Sequence, residues 1–179
     1  MDLTFETKQN PWWLLLMGGI LNVIIGILLL TIPAKTVLAL VGALGLYWVI
    51  QGIFVLVAMF VDHTAWGWKL FMGVLGILAG IVVLRHPIAS AVTIPSILVL
   101  LLGIQGLVVG IVSLILAFKG GGWGMGLLGG ISIVFGIILV LNFANLGTVI
   151  AFVWVVAVFA LVGGIVQIVQ AIRQRSENE

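Results

Sequence analysis

The chain has 179 residues, of which 64% are hydrophobic and only 7% charged. A water-soluble globular domain carries roughly 25% charged residues, so this composition excludes one and places the chain in a membrane. The formal charge of +2 comes from seven basic residues scattered over tails and loops, which excludes a basic nucleic-acid surface. With no cysteine there is no disulfide, thiolate nucleophile or Cys-ligated metal.

Six apolar runs, each long enough to cross a hydrocarbon layer of about 30 Å, follow one another with short polar breaks. After a polar tail over 1–11, Pro11 and the pair Trp12-Trp13 open helix 1, about Trp12 to Thr31. Proline suits a first helical position and tryptophan suits the membrane interface. Helix 1 is as long as the later runs and reads as a span, not a cleaved leader. Ile32-Pro33 turns the chain into helix 2, about Lys35 to Phe60. Asp62-His63-Thr64 is the next break, Trp66 and Trp68 mark an interface, and helix 3 runs to about Leu84. Arg85-His86-Pro87 stops it, and helix 4 spans about Ala91 to Phe118 with Pro95 in its first turns or at a kink. Gly120-Gly121-Gly122 reads as a flexible surface turn and not a phosphate cradle, since no Lys-Ser/Thr follows it. Helix 5 runs from Trp123 to about Leu141, helix 6 from about Gly147 to Ile172, and 173–179 is a solvated tail.

These helices repeat. Gly19 and Gly26 with Pro33 recur as Gly73 and Gly80 with Pro87, and as Gly129 and Gly136 with Phe143 in place of the proline. Glycines seven apart lie on one helix face at roughly 100° per residue, and such a stripe lets a neighbouring helix approach closely. The even helices carry Gly45 and Gly52, Gly103 and Gly110, and the series Ala157, Gly164, Ala171. Ile50-Gln51-Gly52 matches Ile104-Gln105-Gly106 at the same offset as Gly26 to Gly80. The expectation is therefore an all-α integral membrane protein. Its six transmembrane helices form a single membrane domain of three parallel hairpin repeats, over about 12–60, 66–118 and 123–172. The packing residues are Gly19, Gly26, Gly52, Gly73, Gly80, Gly106, Gly129, Gly136 and Gly164.

Three hairpins built on a Trp, a glycine-stripe helix, a Pro turn and the second-helix pairs Gly52-Ile53, Gly106-Leu107 and Gly164-Ile165 resemble the HdeD family of bacterial acid-resistance membrane proteins. The missing third proline is a departure from that pattern. The resemblance covers nearly the whole chain and implies a role in surviving acid stress at a bacterial inner membrane. It transfers no catalytic or binding residue.

The polar residues inside the spans are Asn22, Gln51, Gln105, Gln167 and, near a helix end, Gln170. Amides in lipid need partners, so they are expected to bond across helices, with Gln51 and Gln105 at equivalent positions facing one another near the bundle axis. The alternative is a polar path for protons or small solutes, which makes the chain a small transporter or channel. No acid, base or nucleophile sits mid-span, so the expectation is a non-enzymatic protein with no catalytic, cofactor-binding or metal residue and no cofactor. His63 and His86 fall on opposite membrane faces. Its partners are the lipid bilayer and, through leftover glycine faces, a second copy or another membrane protein; nucleic acid is not one of them. Lys8, Lys69, Lys119, Arg173 and Arg175 share the side of the termini against Lys35 and Arg85 opposite, so the positive-inside rule puts both termini in the cytoplasm. All five carboxylates share that side, so the outer turns contain no acid to protonate when the exterior becomes acidic.

Overall fold

A computed structural model describes residues 12–61 and 65–177. It is all-α: α1 Trp12–Thr31, α2 Pro33–Val61, α3 Trp66–Arg85, α4 Pro87–Leu116, α5 Trp123–Asn142 and α6 Leu146–Glu177. Each is long and apolar enough to cross a bilayer. Lipid offers no hydrogen bonds to a backbone, so a chain this apolar must satisfy its amides internally, and the helix does so span by span.

Local chemistry fixes the breaks. Between α3 and α4 only His86 departs from helix, with φ −125° and ψ 59°, outside the α region that a following proline disfavours. Its N–H still donates to the Val82 carbonyl at 3.0 Å, and its own carbonyl accepts from Ser90 N–H at 2.9 Å. Pro87 occupies the first position of α4, where its missing N–H costs nothing. Ile32 and Pro33 repeat the arrangement between α1 and α2, with Ile32 N–H donating to Leu28 at 2.9 Å. Without a proline, the third break takes three residues, 143–145. The Asn145 side-chain oxygen accepts from Gly147 N–H at 2.8 Å and caps α6.

Three expectations are corrected. Helix 4 begins at Pro87, about a turn before Ala91, so Pro95 lies inside it and not in its first turns. There the Ser96 hydroxyl donates to the Val92 carbonyl at 2.8 Å, within the turn the proline disturbs. Helix 6 does not stop at Ile172 but runs on through the polar residues to Glu177. The three-glycine stretch is a defined turn: within Ala117–Gly121, which follows α4, the helical backbone breaks at Gly120, with φ 103° and ψ 8°. Gly122 follows at φ 82°, so two of the three glycines hold left-handed backbone that a side chain resists.

By backbone proximity the chain divides into two compact units, one holding α1 with the C-terminal part of α6, the other residues Ala34–Phe152. Among the described residues the buried set is small: Leu29, Val41, Val83, Val99, Val149, Val153, Ala157 and Ala171, with Pro95, the hydroxyl residues Thr36, Ser90 and Ser96, and glycines. The large side chains, such as Phe54, Phe60 and Phe135, stand exposed on the helix surfaces. That inversion of a soluble core is what lipid-facing helices require, since burying Leu or Phe away from lipid gains little.

Candidate functional site

Helix pairs meet along the glycine faces, and the pairs are not those within a hairpin. In the unit formed by the chain ends, α1 packs antiparallel on α6: a Cβ added to Gly19 would lie 2.8 Å from the Gly164 carbonyl oxygen, and one on Gly164 would lie 2.7 Å from that of Gly19. Two turns further on, a Cβ on Gly26 would meet Leu161 Cγ at 2.6 Å and the Ala157 oxygen at 3.0 Å. In the other unit α3 packs on α2 in the same way, Gly73 against Gly52 and Gly80 against Gly45, with the built Gly80 Cβ 2.6 Å from the Gly45 oxygen. There too α5 packs on α4, Gly129 against Gly110 and Gly136 against Gly103, at 2.8–3.1 Å. Distances this short leave room for a hydrogen and nothing larger.

The flanking side chains repeat as well. Ile168, Leu56 and Leu114 cover the first glycine of each odd helix, and Leu161, Val49 and Leu107 the second. This register corrects the sequence alignment of the even helices. Gly52 corresponds in packing to Gly110, one turn beyond Gly106, and then to Gly164. Gly106 stays in the interface, but its built Cβ is at an ordinary 3.4 Å from the Ser132 oxygen. Gln51 and Gln105 therefore do not occupy equivalent positions, and both side chains are exposed. Gln170 is exposed too, and Gly163, beside Gly164, faces open space.

Asn22 and Gln167 come together. Asn22 Nδ2 donates to Gln167 Oε1 at 3.1 Å across the α1/α6 interface, both side chains half-buried. At the end of the same interface the Arg175 guanidinium lies 5.3 Å from the centroid of the Trp12 ring, a cation–π contact. Sequence reasoning found the two amides but not that they are partners, and it missed the Trp12–Arg175 contact. A signal existed: Asn22 follows Gly19 by three residues and Gln167 follows Gly164 by three, which puts each beside its stripe. Chemically the pair is neutral and carries no ionisable group, so it can hold two helices together without taking up or giving up a charge. Among the described residues no three His, Cys, Asp or Glu side chains could hold a metal ion. His63, with Asp62 and Thr64, lies outside the described residues, as does Lys8.

The tryptophans Trp13, Trp66, Trp68 and Trp123 are exposed at the starts of the odd helices, and Trp68 stacks at a tilt on Phe71 with ring centroids 5.8 Å apart.

Fold and interfaces define a six-span membrane protein of repeated helical hairpins. The chain belongs to the family described as a short repeat of unknown function, DUF308, whose model matches residues 17–85, 71–141 and 139–179. Its first two matches contain the whole α2/α3 pair and most of the α4/α5 pair, respectively. No curated protein and no solved structure matches the chain.

Proposed function

We propose that the chain is a non-enzymatic, HdeD-like protein of a bacterial inner membrane, that it helps the cell withstand acid or envelope stress, and that both its termini are cytoplasmic. The observation that carries the non-enzymatic reading is how the intramembrane polar groups are used: Asn22 and Gln167 bond to one another within a packed interface. The acid reading is supported by the breaks opposite the termini. Two of them are single residues, and the segment around each holds Lys35 or Arg85 and His86 but no carboxylate. A surface without carboxylates has none to neutralise as the outside acidifies, so it keeps its local stability where carboxylate-dependent surfaces lose theirs.

The competing transporter or channel reading relied on Gln51 and Gln105 sharing a position, and the packing register removes that support. Proton or solute flux in liposomes that is lost in Gln51→Leu with Gln105→Leu would revive it. The decisive experiment compares survival after acid shock of a deletion strain and its complemented parent; equal survival overturns the stress reading. Topology is read separately on intact cells. Ala34→Cys or Ala89→Cys should react with an impermeant thiol reagent and Gly121→Cys should not, and the reverse pattern would place the termini outside.

A further inference from the structure

Three helix pairs share one glycine geometry, which raises a question of partner choice. The face of α1 built on Gly19 and Gly26 fits α6 as the faces of α3 and α5 fit α2 and α4, with the same flanking aliphatic positions. On glycine contacts alone α1 could equally receive α4, whose Gly103 and Gly110 stand where Ala157 and Gly164 stand in α6. Moreover, α4 is made before α6. The pairs α2/α3 and α4/α5 join consecutive helices, the latter through the short turn 117–122, so connectivity selects them. The α1/α6 pair joins the two ends of the chain and has no such help.

The positions that distinguish the pairs are those of the amides. Where α1 has Asn22, the register puts Gly76 in α3 and Ser132 in α5; where α6 has Gln167, it puts Val55 in α2 and Ser113 in α4. Asn22 therefore finds a full amide partner on α6, a short hydroxyl on α4 and only a methyl-bearing side chain on α2. A half-buried amide without its partner in lipid is penalised, and a single polar residue in an otherwise repetitive seam is a known device for fixing pairing. We propose that Asn22 and Gln167 are the pairing determinant of this fold: they direct α6 onto α1 and reject the interchangeable faces of the other even helices.

The natural absence of cysteine allows a direct test. A reporter chain carries Trp12→Cys, Lys119→Cys and Arg175→Cys, so that the thiol at 12 competes for the one at 175, its neighbour in the α1/α6 pair, and the one at 119, close to the corresponding end of α4. A short bis-maleimide added to membranes, followed by peptide mass spectrometry, gives the ratio of 12–175 to 12–119 links. In that background the amide is moved from α6 to α4 by Gln167→Ser with Ser113→Gln. An interhelical amide bond in lipid corresponds to a factor of roughly three to thirty, and the ratio should fall by that factor. Asn22→Gln with Gln167→Asn, which keeps an amide on each side, should hold the ratio near that of the reporter chain. A purely structural hydrogen bond predicts a weaker 12–175 link with no gain at 12–119, and that result overturns the proposal. If the transplanted chain does not accumulate, Gln167→Ser alone decides: it places at 167 the residue α4 already accommodates at the same position, and a ratio unchanged from the reporter chain again overturns the proposal.

Discussion

The α4/α5 and α1/α6 interfaces are built on the same glycine ladder, yet they are closed by different means. In α4/α5 the helices are joined by a turn whose shape is set by left-handed Gly120 and Gly122, and the residues at the amide positions are serines. In α1/α6 the helices are more than a hundred residues apart in sequence, and the interface holds the Asn22–Gln167 hydrogen bond and the Trp12–Arg175 contact. For an unstructured chain, closing a loop about ten times longer costs about 2 kcal/mol more, an upper bound here because the intervening helices pair first. An interhelical amide bond with a cation–π contact returns about 1–3 kcal/mol. The added side-chain contacts thus lie where connectivity does least, and backbone proximity does the rest where the chain is continuous.

The ladder common to both interfaces should be the most sensitive part. Gly164→Ala or Gly136→Ala drives a methyl against a carbonyl oxygen at under 3 Å, and Gly80→Leu adds a whole side chain at such a site. Each should cost about 1–3 kcal/mol or more in an unfolding titration in mixed micelles. Gly163→Ala, beside Gly164 but facing open space, should be within about 0.5 kcal/mol of the parent. Equal behaviour of the 163 and 164 variants would show that the stripe does not carry the packing. Next comes the connection: Gly120→Ala should cost about 1–2 kcal/mol through its positive φ, and should loosen α4/α5 without affecting the 12–175 link. Asn22→Leu should cost about 0.6–2 kcal/mol and act on α1/α6 alone, and a Ser132→Leu control that weakened the 12–175 link as much would erase the distinction between the two interfaces. The smallest change is expected from Arg175→Ala, about 0.5–1 kcal/mol, read as a shift in the tryptophan fluorescence that Trp12 contributes.

Spans, breaks and glycine faces were legible from sequence because lipid imposes them: length and apolarity mark a span, Pro33 and Pro87 mark its stop, and a seven-residue glycine step marks a face. Which faces meet was not legible. Hairpin partners are the natural guess, but the one-residue break at His86 keeps α3 and α4 from closing on each other, and α4 turns its stripe to α5. Aligning Gly52 with Gly106 failed for a related reason. The identical Ile-Gln-Gly triplets outweighed the wider Gly45–Gly52 and Gly103–Gly110 match, although a triplet one turn out of phase says nothing about contact and a pair spaced to meet another pair does. Asn22 and Gln167 were visible as polar residues, but their partnership depends on α6 returning to α1, which no local pattern encodes.

The odd helices have 20 residues each, and α2, α4 and α6 have 29, 30 and 32. At 1.5 Å per residue these are lengths of about 30 Å against about 43–48 Å. A short helix can stand upright in the hydrocarbon, while a long one must lean or let one end ride among the headgroups. In α4 the excess precedes Gly103 and contains Pro95, where a helix can bend as it leaves the layer. Each even–odd pair thus combines a member matched to the bilayer with one that is mismatched, so thinning or thickening the surrounding lipid strains the two unequally. Membrane thickness thereby becomes a mechanical load on the glycine contacts that join them.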